Sequence, residues 1–367
     1  MDFEDPYIII LILSVTIVYI FACCLLAYAV PHGSELKNYR IARLLLATSY
    51  IILATSSLYE LVREIEPSET SLTAPLTLTG ASLQAFFFTF SMITLIDLRF
   101  ITIRRLIKQF VPIIIFAAAL LHCKLNAPPS TFGTVFYIAL GYYFVQMMYY
   151  VYLFNKEYNR YKHKMDNYFA GDEIRRMRWV KRSFYLALSI GILAVVVLLF
   201  LFAYPYCYTC FIAIYTAFYV YFAMKYINYA SIFRYTPPNA IHPEVVHDEN
   251  PVPFNFDNLL QAIDEWTAQK KYTESSITLE NLANELGTNR TYLSSYINKE
   301  LKLSFKAWIS RLRIAEAQRL MSELPDIPAV RIGEMVGIAD KSSFFRQFMN
   351  ITGKTPGQFR KQLFVEK

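Results

Sequence analysis

The chain has 367 residues, 55% of them hydrophobic and only 18% charged, and a mean hydropathy of +0.30. A soluble domain carries about a quarter charged residues, so this composition excludes a chain built only of ordinary soluble domains. The net charge of +7 suits nucleic acid or the inner face of a membrane and does not separate the two.

Taken in chain order, runs of about 20 apolar residues predict membrane-spanning helices at Tyr7–Val30, Ile41–Val62, Ala74–Ile96, Leu106–Cys123, Thr131–Phe154, Ser183–Ala203 and Cys207–Ile227. The first follows Asp2, Glu4 and Asp5 with no basic flank, and it is too long for the core of a cleaved leader, so it reads as a retained helix. The fourth carries Lys108 and Pro112 and is the weakest of the seven.

Loop charge sets the orientation, because cytoplasmic loops collect Lys and Arg. Lys37 and Arg40 lie between spans one and two, and Arg99, Arg104 and Arg105 between three and four. Residues 155–182, between five and six, hold nine basic residues against four acidic ones. The alternate loops are acidic or nearly neutral: Arg63 with Glu64, Glu66 and Glu69, then Lys124, then the uncharged 204–208. Every basic loop therefore falls on one side, with the N-terminus outside and the C-terminus in the cytoplasm.

Aromatic residues crowd spans five and seven, among them Tyr143, Tyr150, Tyr215 and Tyr219. Helix packing with an interfacial aromatic belt explains them more simply than a ligand cavity does. Gln84 and Gln146 are polar positions within spans, and Glu60 and Asp97 lie near enough to span ends to read as interfacial. All five cysteines lie before residue 211, leaving the C-terminal part free of thiols, as suits a reducing compartment. Cys207-x-x-Cys210 falls on the outer side with Cys123 near the same surface, where it reads as a redox-sensing dithiol but without a thioredoxin-like context, and Cys23 and Cys24 read as small packing residues.

Residues 231–253 crowd Pro237, Pro238, Pro243, Pro251 and Pro253 into a polar stretch, which predicts an extended linker. His242 and His247 lack flanking ligands, so no metal site is read there.

From residue 254 the period changes to that of short amphipathic helices. Leu259, Leu260, Ile263 and Trp266 share one face. Thr278 starts a second helix and Gly287 stops it, and Asn289 starts a third that carries Leu293, Tyr296 and Ile297 on its inner face. Ala283, Gly287 and Leu293 have the spacing of a helix-turn-helix. A longer helix over Ser304–Glu323 is predicted to bury Phe305, Trp308, Ile309, Leu312, Ala315 and Leu320. About 50 residues after the first unit the pattern repeats: Ile332 to Gly337, Asp340 as a cap, then Phe344, Phe345 and Phe348.

The stretch Gly337-Ile-Ala-Asp-Lys-Ser-Ser-Phe-Phe-Arg-Gln-Phe348, with Gly353-Lys-Thr-Pro356, Phe359-Arg360 and Arg313-Ile-Ala-Glu-Ala-Gln-Arg-Leu320, resembles the AraC/XylS family of transcription regulators. The resemblance covers roughly residues 254–367. Ile338 departs from the usual aromatic after the glycine, which predicts looser packing, and Met349 from a usual lysine. The fold expected is all-α: a seven-helix transmembrane bundle (1–230), a Pro-rich linker (231–253) and an all-helical DNA-binding domain with two helix-turn-helix units (254–367).

Each recognition helix would enter a major groove by its N-terminal half. Arg290, Thr291, Ser294 and Ser295 then face outward on the first, and Lys341, Ser342, Phe345 and Arg346 on the second. The resemblance puts Thr291, Ser295, Lys341, Ser342 and Arg346 where family members contact bases. Residues 254–367 hold sixteen basic and thirteen acidic residues, so the domain itself is only mildly basic.

The expected partners are double-stranded promoter DNA and the lipid bilayer of a bacterial cytoplasmic membrane, with pairing of two chains through their membrane helices as a means of raising occupancy. The signal itself is not written in the sequence. No catalytic residues, cofactor or metal are expected, since no GxG and no HExxH occur. The rival readings are a membrane transporter or sensor whose helix-turn-helix domain is an accessory, and a scaffold that uses that domain to bind protein.

Overall fold

The computed structural model describes residues 6–28, 36–65, 72–172, 175, 177–197, 199, 205–233 and 256–365. The linker prolines, His242, His247, Glu66, Glu69 and Tyr204 lie outside the described residues. The chain divides into two compact units, residues 1–161 with 178–238, and residues 162–177 with 239–367. The described residues are almost wholly helical and contain no strand, so the all-α reading holds.

In the first unit the long helices are α1 (Pro6–Ala27), α2 (Lys37–Ile65), α3 (Thr73–Ile96), α4 (Ile103–Asn126), α5 (Pro129–Tyr168, whose last turns belong to the second unit), α6 (Arg178–Val196) and α7 (Pro205–Phe233). Among the described residues, six helices are long and apolar enough to cross a membrane by length and composition. The weak point is not where the sequence reading put it. The fourth predicted span qualifies, with Arg104 and Arg105 forming its first turn, whereas α5 does not. At 40 residues α5 is about 60 Å long, but Gly141, Gln146 and its many tyrosines dilute the hydropathy of every stretch.

Helix α2 packs on α3 and α1, and α1 on α7. The α2–α3 approach is close because Gly80 carries no side chain: a Cβ there would lie 2.6 Å from Ser56 Oγ. Hydrogen bonds across helices do work that the hydrophobic effect does not do between helices in lipid. Ser14 and Ser57 meet the Tyr215 hydroxyl at 3.1 and 3.0 Å, and Tyr50 donates to the Tyr219 carbonyl at 2.6 Å. Leu13, Ile20, Ile115, Val145 and Met148 point outward and exposed, a surface suited to lipid chains and costly in water. Glu60 and Asp97 are buried, although both read from sequence as interfacial.

The second unit contains α8 (Phe256–Ala268), a 3-10 turn at Lys271–Thr273, α9 (Leu279–Glu285) and α10 (Arg290–Ser295), which runs on as a π-helical turn over Tyr296–Glu300. Then follow α11 (Phe305–Glu323), α12 (Ala329–Met335), α13 (Lys341–Thr352) and α14 (Pro356–Val365). There are two hydrophobic cores, and α11 serves both. Trp266, Leu282, Leu293, Phe305 and Ile309 belong to the first; Ile314, Met321, Ile332, Phe344 and Phe348 belong to the second. Because the two cores lie against different faces of α11, its buried stripe shifts along its length. Ala315, predicted inside, is exposed, while Ile314 and Ala317 are fully buried. Ile338 is buried in the second core, so the missing aromatic leaves no exposed gap.

Candidate nucleic-acid interface

Local chemistry sets the entry of each helix in the two units. The Thr278 hydroxyl accepts from the Asn281 amide at 3.1 Å, Asn289 from Tyr292 at 2.9 Å, and Asp340 from Ser343 at 2.8 Å. Each satisfies an amide that the first helical turn leaves without a partner. The turns before α10 and α13 need the left-handed backbone, and Gly287 and Gly337 supply it at φ +64° and +80°. Gly337 has a second duty: a Cβ there would come within 2.3 Å of the Thr273 carbonyl oxygen.

That close approach is held from α11. Arg313, buried between the cores, donates through Nε to the Tyr272 carbonyl at 2.7 Å and through its terminal nitrogen to the Glu274 carbonyl. Burial lowers its guanidinium pKa to about 10. In the sequence Arg313 stands out only as a basic residue beside the apolar stripe of this helix.

The residues predicted to read DNA fall on the two recognition helices. On α10, Thr291 is exposed and Arg290, Ser294 and Ser295 are half-buried, while Leu293 and Ile297 face inward. Ser294 accepts from Asn298 at 3.0 Å. On α13, Lys341, Ser342 and Arg346 are exposed. Phe345 instead packs against the second core, with the Lys341 ammonium 5.9 Å from its ring centre. Ser342 donates back to Asp340 at 2.9 Å.

Segment 162–177, the last turns of α5 and the residues that follow before α6, is built into this same unit, which the sequence did not suggest. Asp172 accepts from Arg346 at 2.5 Å and from Lys306 at 3.1 Å, and Asp166 also meets Lys306 at 3.1 Å. Arg175 pairs with the cap residue Asp340 at 2.5 Å, and the Tyr168 hydroxyl donates to Glu280. The backbone joins as well: Phe169 bridges Thr278, and the Ala170 amide donates to the Ile277 carbonyl at 3.1 Å with Ala170 itself buried in the first core.

Burial pushes the Asp172 carboxyl up, but Lys306 and then Arg346 outweigh it and hold it below the usual range. Arg175, the Ser343 amide and the Ser342 hydroxyl hold the Asp340 carboxyl down to about 2. The acidic minority of a basic loop thus carries the attachment. Chemically, the segment supplies carboxylates to Lys306 at the start of α11 and to the exposed Arg346 of the second reader. Among the described residues no cluster of His, Cys, Asp or Glu could hold a metal ion.

Residues 282–362 match the family described as "Helix-turn-helix domain". This part of the chain is a helix-turn-helix domain of the kind the AraC-like residues implied. It is 34% identical over 89 residues to the Msm operon regulatory protein of Streptococcus mutans serotype c, covering 24% of this chain and 32% of that protein. It is 35% identical over 89 residues to the uncharacterized HTH-type transcriptional regulator YtdP of Bacillus subtilis, 24% of this chain and 11% of that one. With YobQ of the same organism, also named an uncharacterized HTH-type transcriptional regulator, identity is 32% over 91 residues, 25% of this chain and 37% of that protein. The chain thus spans little more than a third of these relatives at most, and the likeness is confined to the C-terminal part. No solved structure matches the chain.

Proposed function

We propose that this protein is a membrane-bound, sequence-specific DNA-binding regulator of transcription that couples a signal received by its helical first unit to promoter binding. Its setting is a bacterial cytoplasmic membrane with the helix-turn-helix domain in the cytoplasm, as the one-sided distribution of basic loops implies. Arg346 and Lys341 on α13, with Arg290, Thr291, Ser294 and Ser295 on α10 and Ser342 beside Lys341, are the residues assigned to DNA. Arginine is the usual bidentate reader of guanine.

One observation carries the coupling: Asp172, in the segment that joins two long helices of the first unit, holds Arg346 of the second reader at 2.5 Å. A guanidinium engaged by a carboxylate is not available to a base edge. Any movement of α5 or α6 that shifts Asp172 therefore alters what α13 offers to DNA.

The test uses full-length protein in lipid nanodiscs and DNA from its own promoter region. Specific retardation over random DNA is expected, and reporter fusions after Lys367 and within 204–208 should report opposite sides of the membrane. Equal binding to promoter and random DNA would remove sequence-specific regulation. Two fusions on one side would remove the orientation.

A further inference from the structure

The first unit contains a cavity of about 140 Å³ among α2, α3, α5, α6 and α7. Its wall has a definite chemistry. Glu60 is the one charged residue among the described residues that line it. The Glu60 carboxylate accepts from the Tyr208 hydroxyl and lies 3.5 Å from the Thr77 hydroxyl. Further in, Gln84 donates to the Tyr219 hydroxyl and Ser57 meets Tyr215 at 3.0 Å. The remaining wall is largely aromatic, with Phe88, Phe184 and Phe211 among its faces.

Two of the wall positions are glycines at close helix contacts. Gly80 and Gly191 both line it, and a Cβ at Gly191 would lie 2.9 Å from Met147 Cε and 3.1 Å from the Tyr143 hydroxyl, two other lining residues. The aromatic residues that read from sequence as packing thus surround a void instead of filling it.

We propose that this cavity binds a small organic cation, an amine carrying one aromatic ring on a short arm. Size sets the ring, because an apolar cavity of about 150 Å³ holds a benzene molecule. Charge sets the amine: a buried carboxylate attracts a cation and repels an anion, and the faces of Tyr and Phe add attraction for an ammonium. The hydroxyls of Tyr208 and Thr77 orient the carboxylate toward the polar end, and the Phe faces receive the ring. This deepens the sensor reading above by giving the ligand class of the signal, but binding at the site is measured independently of DNA.

The probes are 2-phenylethylamine, its neutral counterpart 2-phenylethanol, and phenylacetate, titrated at neutral pH into full-length protein in nanodiscs by calorimetry. Saturable binding of the amine is expected, at least ten-fold tighter than the alcohol, with no binding of phenylacetate. Glu60→Gln should remove the ten-fold preference; the comparison of amine with alcohol on the unaltered protein stands even where that variant does not fold. Equal affinity for amine and alcohol, or no saturable binding of the amine up to millimolar concentration, overturns the proposal. Amine binding that leaves promoter affinity unchanged keeps the site and removes the sensor reading instead.

Discussion

Asp172 and Arg346 stand 174 positions apart in the chain, yet their side chains meet at 2.5 Å. Arg346 is half exposed while Asp172 is largely covered, and the same carboxylate also holds Lys306. A half-exposed ion pair contributes only about 0.2–1 kcal/mol, enough to modulate a reader and too little to lock it.

Asp172→Asn should therefore raise the affinity of the full-length protein for its promoter, by up to about five-fold, which is about 1 kcal/mol. The gain should shrink as salt rises, because the pair is screened. Fluorescence anisotropy on labelled promoter DNA at two salt concentrations measures it. An unchanged or weaker affinity would show that the pair does not compete with DNA.

The two cations of α13 should behave differently. Arg346→Ala is expected to cost about 1–3 kcal/mol on the specific site and to relax preference at one base position. Lys341→Ala should weaken binding evenly across sequences and reduce the salt slope by about one. Equal loss on specific and random DNA for the Arg346 variant would assign that side chain to phosphate.

Gly337 and Gly353 share a left-handed backbone, at φ +80° and +73°, but not a neighbourhood. Nothing lies within 4 Å of a Cβ built at Gly353, whereas one at Gly337 would meet the Thr273 carbonyl oxygen at 2.3 Å. Gly353→Ala should cost about 1 kcal/mol from conformation alone. Gly337→Ala adds a backbone clash and should cost about 2–5 kcal/mol. Urea unfolding of the second unit, followed through Trp266 and Trp308, compares them; equal costs would refute the close approach.

The Asp340 carboxyl is held at about 2, first by Arg175 and then by the Ser343 amide and Ser342 hydroxyl. In an unfolded chain an aspartate titrates near 3.9. The folded value lies below the unfolded one, so the stability from this cap is complete above pH ~4 and is lost as pH falls toward about 2. Carboxyl NMR on selectively labelled protein should give a low midpoint for Asp340 that rises in Arg175→Ala. An ordinary midpoint in the unaltered protein would show that the pair does not persist in solution.

One chain carries two readers, so a single domain should protect two patches of DNA about one helical turn apart. The 19-residue helix α11 is about 29 Å long, near the ~34 Å between successive major-groove faces on one side of the duplex. The site for one chain should then be asymmetric. Hydroxyl-radical footprinting at monomer stoichiometry tests this, and one short patch that requires two chains would defeat it.

The helix-turn-helix units were legible because their signals are local. Caps at Thr278, Asn289 and Asp340 and glycines at 287 and 337 act within a few residues, and the structure uses each as read. The shift of the buried face along α11 was not legible, since a periodicity argument assumes one partner per helix and α11 has two. The length of α5 was not legible either, since its Tyr-rich stretch over 131–154 runs on as helix through a charged segment to Tyr168. Attachment of segment 162–177 left no periodic trace at all. Its acidic residues looked like a minor correction to a basic loop, and only the contacts of Asp166 and Asp172 give them a task.

Ala170 fills part of the first core of a domain whose own helices begin more than eighty residues later. Cutting the chain between 234 and 255 would sever the covalent tie yet leave that alanine, its backbone bridge and the Asp172 contacts in place. Liberation of the DNA-binding part is thus a two-key operation, in which a protease alone turns one key and undocking alone turns the other. After such a cut the C-terminal piece should co-purify with the N-terminal one until the segment around Ala170 lets go.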